Sequence, residues 1–244
     1  GGSQPGAVEL VDLNGDGQED LMVASSDGLD VELWFLERNG SGGFLPPIQV
    51  GMSQDLQGVR VWAMLVEDID GDGRLDAVVS EDSRSGSDRA KIILFRQGVS
   101  AGVQFTASIP TTFPELSGFV LSMDTADFDG DGRTDLVVGN VGDGNANRIA
   151  RIFFGRAGGT FGPADSFEIR GPATGNGGIA IFDYNGDTLP DVVVHVGTRI
   201  EPTFRNSSLL QVHTNLGNRS FARQYLITVP ESEAMVWLPD ALGQ

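Results

Sequence analysis

Cysteine is absent. That excludes a disulfide framework, a thiolate metal site and a cysteine nucleophile, though not any compartment. Basic residues are few, 16 against 34 acidic, and the formal net charge is −18. A non-specific nucleic-acid binder needs a basic face, so that class is set aside. No apolar run reaches the roughly 18–20 residues a membrane-spanning helix requires. No segment keeps a helical period, and aromatic residues make up only 8%. The chain starts at Gly1 without a signal-like segment, which reads as a mature or trimmed product. Glycine, by contrast, is abundant, with 34 in 244 residues. It falls between short apolar runs, the pattern of many turns joining short strands. With 40% hydrophobic residues the chain can bury a sizeable core.

The acidic residues recur in four segments, Asp12 to Asp20, Asp68 to Asp76, Asp127 to Asp135 and Asp183 to Asp191. Their first aspartates lie 56, 59 and 56 residues apart, a period that marks a repeat architecture. One apolar run precedes each segment: Val8 to Val11, Val61 to Val66, Val120 to Met123 and Ile179 to Phe182. A second follows it: Leu21 to Ala24, Ala77 to Val79, Leu136 to Val138 and Val192 to Val196. A third runs Val31 to Leu36, Lys91 to Phe95, Arg151 to Phe154 and Leu209 to His213. A turn then leads to Phe44, Phe105, Phe161 or Phe221, and a less regular fourth run closes each unit. These short β-branched runs, bounded by Gly, Asn, Asp or Pro, predict strands. Four strands per unit of about 57 residues predict an all-β, β-propeller-like array of four blades. A β-solenoid, with its usually shorter coils, is the competing repeat fold. The units run approximately 7–58, 59–117, 118–176 and 177–233 within one repeat domain, and 234–244 start a degenerate fifth. Its first strand is expected at Ala234 to Leu238, without an acidic loop after it.

The segments share the pattern D-x-[DN]-x-D-G-x-x-D, with oxygen-bearing side chains at positions 1, 3, 5 and 9 and a backbone carbonyl available at position 7. The predicted metal ligands are Asp12, Asn14, Asp16, Gln18 and Asp20 in the first loop, and Asp68, Asp70, Asp72, Arg74 and Asp76 in the second. In the third they are Asp127, Asp129, Asp131, Arg133 and Asp135, and in the fourth Asp183, Asn185, Asp187, Leu189 and Asp191. Such a hard oxygen shell suits Ca²⁺ better than Mg²⁺, which demands a strict octahedron. Zinc would want histidine or cysteine. The ligand positions hold 14 aspartates, so removing them would change the net charge from −18 to −4. Crowded carboxylates repel one another without a cation. The alternative, plain Asx-rich turns, explains one such loop better than four in register. Three or four calcium ions are expected. In the fourth loop Thr188 replaces the position-6 glycine and Pro190 removes a donor, which weakens that site.

The loops, each followed by a short apolar strand such as Asp135-Leu136-Val137-Val138, with a later phenylalanine, resemble FG-GAP/VCBS repeats. These are the calcium-loop repeats of integrin-α-type propellers, and Phe161-Gly162-Pro163-Ala164 is similar to their short signature. The other three units keep the phenylalanine but not the glycine after it. The resemblance implies loops joining the first and second strands of each blade, with the named aspartates as ligands. Family propellers usually have six to eight blades against four units here. The chain is therefore a fragment, a small ring, or an open array completed by another chain.

No Gly-x-Ser-x-Gly elbow or phosphate loop is present. His195 and His213 could serve acid–base chemistry, but their places in apolar runs favour packing. Catalytic residues are therefore expected to be absent, as are organic cofactors. The connections Glu81 to Arg89, Asn140 to Arg148 and Thr198 to Asn206 vary most and carry arginines suited to an acidic ligand. Trp34, Trp62 and Trp237 offer stacking faces for sugars, yet sit in strand runs. Asn39, Asn206 and Asn218 begin glycosylation triplets. Calcium loops of ordinary affinity fill only outside the cytosol, which favours an extracellular or periplasmic setting. The expectation is a non-catalytic binding or adhesion module for a glycan or protein partner, with possible self-association. The alternatives are a structural subunit of an extracellular assembly and, more weakly, a polysaccharide-degrading domain.

Overall fold

The computed structural model describes residues 4–53, 59–83, 89–99, 102–107, 111–117, 119–141, 148–162, 166–170, 175–200 and 205–229. The expected strand Ala234 to Leu238, with Trp237, lies outside them. Among the described residues there is no helix. The strands form four antiparallel sheets in which chain neighbours pair. Sheet one holds β1 (Gln4–Val11), β2 (Asp20–Ser26), β3 (Val31–Leu36) and β4 (Ile48–Met52). Sheet two holds β5 (Val59–Glu67), β6 (Asp76–Ser83), β7 (Arg89–Gln97), β8 (Phe105–Ala107) and β9 (Thr111–Ser117). Sheet three holds β10 (Phe119–Ala126), β11 (Asp135–Val141), β12 (Arg148–Phe153) and β13 (Ser166–Arg170). Sheet four holds β14 (Gly175–Phe182), β15 (Asp191–Ile200), β16 (Arg205–Asn215) and β17 (Phe221–Val229).

The fold is the expected all-β array of blade-like sheets. Sheet two departs from it in one detail: β8 and β9 share the same edge of β7. Three-residue β8 pairs only with Phe95, Arg96 and Gln97, which leaves the other half of that edge for β9. The strands also run past their apolar cores. The connection expected over Thr198 to Asn206 is largely a hairpin, with Thr198 paired to Ser207 and Ile200 to Arg205. Backbone pairing needs no apolar side chain, so the apolar runs understate strand length.

The first strands pack on one another in chain order, β1 on β5, β5 on β10 and β10 on β14. The sheets stack through three seams, each with its own core. Leu13, Met22, Leu33 and Phe35 of sheet one meet Val66, Val79, Ile93 and Phe95 of sheet two. Ile69, Val78 and Ile92 meet Val120, Leu136 and Phe153. Phe128, Val137 and Ile152 meet Val192 and Val194. Middle sheets are thus covered on both faces, which is why Ala77-Val78-Val79 is continuously apolar and fully buried. Among the described residues, each of the three cores joins sheets adjacent in sequence.

Pairing register defines which residues are equivalent. Leu36, Phe95, Phe153 and His213 stand opposite Leu21, Ala77, Leu136 and Val192. His213 therefore occupies the place of Leu36, Phe95 and Phe153 in the other sheets. One residue of slip exchanges the two sheet faces. The face of each sheet that meets the preceding sheet is its leading face, and the opposite one its trailing face.

Candidate metal centre

Each acidic segment links the first and second strands of its sheet. A single hydrogen-bond scheme shapes all four loops. The position-1 carboxylate accepts three backbone N–H groups. Asp12 takes those of Gly15 and Asp16 on Oδ1 at 2.9 and 3.0 Å, and that of Gly17 on Oδ2 at 2.9 Å. Asp68, Asp127 and Asp183 repeat the arrangement. The position-3 side chain, Asn14, Asp70, Asp129 or Asn185, accepts the N–H of position 5. The position-5 aspartate accepts the N–H of Gln18, Arg74, Arg133 or Leu189. A charged acceptor holding several N–H groups fixes a turn that few other side chains could hold.

The ninth-position aspartates have a second task. Asp20, Asp76, Asp135 and Asp191 are buried. Each accepts on Oδ1 the N–H of the residue following the third-strand core, Arg38, Gln97, Gly155 or Asn215, at 2.7–3.0 Å. They latch the loop to the far end of the sheet. The second oxygens differ. Those of Asp135 and Asp191 accept the N–H of Phe128 and Tyr184. That of Asp76 meets the Arg96 guanidinium. The Asp20 Oδ2 is buried with no hydrogen-bond partner.

In the second and third loops the acidic oxygens converge. Those of Asp68, Asp70 and Asp76, and those of Asp127, Asp129 and Asp135, lie within 4.8 Å of one another. Burial, and then the charges of Asp129 and Asp127, push Asp135 up to about 6 despite its two N–H donors. Burial likewise raises Asp76. Backbone donors, the Thr188 N–H first, lower Asp183. Asp72 and Asp131 fall outside these triads, and their outer oxygens are held by the Arg74 and Arg133 guanidinium groups. Two further arginines answer the excess charge. Arg96 lies 3.2 Å from Asp70 and also meets Asp76, while Arg219 of sheet four sits 2.7 Å from Asp129 of sheet three. Sequence reasoning missed both, since nothing local ties them to the loops.

The fourth loop keeps the common geometry. Thr188 takes φ 72°, beside 84°, 85° and 80° for Gly17, Gly73 and Gly132, and still donates to Asp183 at 2.8 Å. The strain expected there is real, and the loop is formed regardless.

A profile of FG-GAP-like repeats matches residues 12–79, 68–138 and 127–194, together about three quarters of the chain. The chain belongs to the FG-GAP-like repeat family. Each FG-GAP match starts at a position-1 aspartate and ends in the second strand of the next sheet, so it straddles one seam and two loops. No curated protein matches. Among solved structures, similarity extends to the Dos1 propeller, at 11% identity and a TM-score of 0.48, over 85% of this chain and 56% of that one. The chain thus spans little more than half of that structure.

Other candidate residues separate. His213 is buried on the leading face of sheet four, paired with Val192, while His195, in register with Leu210, lies on the trailing face. They cannot act as a pair. Burial, and then Arg223, push His213 down to about 4, so it packs as a neutral ring. The Trp34 indole N–H donates to Ser25 Oγ at 3.1 Å, and Trp62 sits at a bulge of β5. Asn39 is engaged in its own turn, accepting from Ser41 and Gly43. The side chains of Arg84, Arg89, Arg148, Arg199 and Arg205 lie outside the described residues. An open recess of about 330 Å³ lies beside the first two loops, lined in part by Leu13, Asn14, Arg74 and Gln97.

Proposed function

We propose that this FG-GAP module is an extracellular calcium-loaded scaffold that binds a glycan or protein partner without catalysing a reaction. The calcium reading is carried by loops of one backbone-ordered geometry, two of which bring three carboxylate oxygens within 4.8 Å of one another, and by the buried Asp20 Oδ2, which has no hydrogen-bond partner. Uncompensated buried carboxylate is costly, and a hard divalent cation offsets it. Side-chain oxygens at positions 1, 3, 5 and 9, with the position-7 carbonyl, would hold each ion. The ion would neutralise the cluster and tie the loop to the buried latch aspartate. It is structural in this role, stabilising only the folded chain.

Partner binding is assigned to the loop-bearing end, where the open recess beside the first two loops, lined in part by Leu13, Arg74 and Gln97, has room for a ligand group. Calorimetric titration with Ca²⁺ tests the first part, with saturable binding of three or four ions expected. A glycan array with and without chelator tests the second, and silence across acidic and neutral glycans counts against the lectin form. A second reading, a subunit of an extracellular assembly, is favoured by the exposed apolar side chains of Val8 and Leu10 on β1.

A further inference from the structure

In the second and third loops the position-3 carboxylate is already met by an arginine. Asp70 accepts the Asp72 N–H on Oδ1 at 3.2 Å, and its Oδ2 lies 3.2 Å from Arg96. Asp129 accepts the Asp131 N–H on Oδ1 at 3.2 Å, and its Oδ2 takes Arg219 at 2.7 Å. The two arginines come from opposite sides of their seams. Arg96 lies on β7, in the same sheet as its loop, and reaches on to the carbonyls of Gly158 and Gly159 in sheet three. Arg219 lies in the turn before β17, in the sheet that follows its loop, and stands over the Phe154 ring at 4.3 Å.

Strand register shows what stands at these two places elsewhere. The place of Arg96 is filled by Glu37, Phe154 and Thr214 in the other sheets. The place of Arg219, two residues before the unit's phenylalanine, is filled by Val103 and Gly159 in sheets two and three. Opposite Arg96 is therefore Gly159, where a Cβ would run into the guanidinium and into Asp70. Opposite Arg219 is Phe154, whose ring carries it. Beside the first loop the two places hold Glu37 and Val103. Position 3 there is Asn14, whose amide donates to Asp16 at 3.2 Å. Asn14 and Val103 line the open recess. Across the three seams an arginine is present where position 3 is aspartate and absent where it is asparagine.

We propose that Arg96 and Arg219 are internal competitors of the metal, each holding the position-3 oxygen that a cation would take in the second and third loops. The backbone engages Oδ1 of Asp70 and Asp129, so Oδ2 is the oxygen left for an ion. A guanidinium and a divalent cation repel one another across it. These loops must give up an arginine contact to take an ion. The first loop makes no such exchange. It has three aspartates, no arginine side chain paired with them among the described residues, and the unpartnered Asp20 Oδ2. The sites therefore differ in strength, the first tighter than the second and third. This inference rests on the calcium reading and names the residues that grade it.

The test is competition between the chain and a chromogenic chelator for Ca²⁺, together with calorimetric unfolding. Arg96→Met and Arg219→Met should each move one ion into the tight class, raising affinity at that site at least about tenfold. Both together should move two. In excess chelator the same variants should unfold at lower temperature, because Asp70 or Asp129 then lacks its counter-charge. Saturating Ca²⁺ should narrow that deficit. If a single variant fails to fold, Asp129→Asn with Arg219→Met recreates the first loop's combination and should add one tight site. Ca²⁺ binding with unchanged or weakened affinity in the variants overturns the inference and leaves the calcium reading standing. Absence of Ca²⁺ binding in every chain overturns both.

Discussion

Replacing Thr188 with glycine should stabilise the protein. Thr188 holds φ 72° in a loop whose three counterparts are glycine. An L-residue in this left-handed region costs about 1–2 kcal/mol, and a β-branched one is an outlier there. Its side chain is exposed, so its removal loses no packing. Glycine returns about 0.5–1 kcal/mol through its freer unfolded chain. The net gain is about 0.5–1 kcal/mol, a rise in Tm of about 1–3 °C for a chain of this size. The reciprocal change, Gly132→Thr, isolates the same strain. A Cβ at Gly132 meets nothing within 4 Å, while φ there is 80°. It should lower Tm by a similar amount. Both are read by calorimetric unfolding in chelator, which keeps loop strain apart from ion affinity. A lower Tm for Thr188→Gly, or no change for Gly132→Thr, would refute the strain argument.

Saturating Ca²⁺ should raise Tm reversibly, each site adding about 2.7 kcal/mol at a hundredfold excess over its Kd; an unfolding curve indifferent to calcium and chelator would sink the metal reading. His213→Phe should flatten the acid side of the stability curve. The folded histidine is pushed down to about 4 from 6.5, so its stabilisation is full above pH 6.5 and lost as pH falls through 4, up to about 3 kcal/mol. The check is Tm against pH for both chains, where parallel curves would contradict it. Glu9→Gln should act on the other side. Burial, and then Glu67 and Asp124, push Glu9 up to about 7 from 4.5 against the Val66 N–H. Its contribution is therefore present below pH 4.5 and lost as pH rises through 7, and the variant should gain relative stability at neutral pH, in chelator. Equal pH profiles would exclude that role for Glu9.

The loops were legible because one physical demand fixes their residues twice. The spacing that gathers oxygen donors also sets which carboxylate receives which backbone N–H, so Asp12, Asp68, Asp127 and Asp183 reveal turn and cluster together. Strand centres were legible because middle sheets are buried on both faces, as at Ala77 to Val79. Strand ends were not, since the pairing of Thr198 with Ser207 rests on the backbone alone. The face of a third-strand aromatic was also hidden. Whether Phe153 or Phe154 faces the preceding sheet depends on a register set by pairing with Leu136. The latch made by Asp20, Asp76, Asp135 and Asp191 joins groups some 20 residues apart in sequence, and the Arg219–Asp129 contact spans 90. Neither distance leaves a local signal. Thr188 takes the left-handed φ that its place in the pattern implies, and the loop still forms because Asp183 collects its three donors.

The seam, not the sheet, is the unit by which such a chain can grow. Each FG-GAP match runs from one acidic loop into the second strand of the next sheet, and so crosses from one sheet to its neighbour. Copying one period of 56–59 residues in tandem would insert a whole seam in register. Stability in arrays of this kind is a sum of unit and nearest-neighbour terms. Lengthening therefore requires no redesign of the interior. Recombination between repeats can change the size of the array while the existing seams stay as they are.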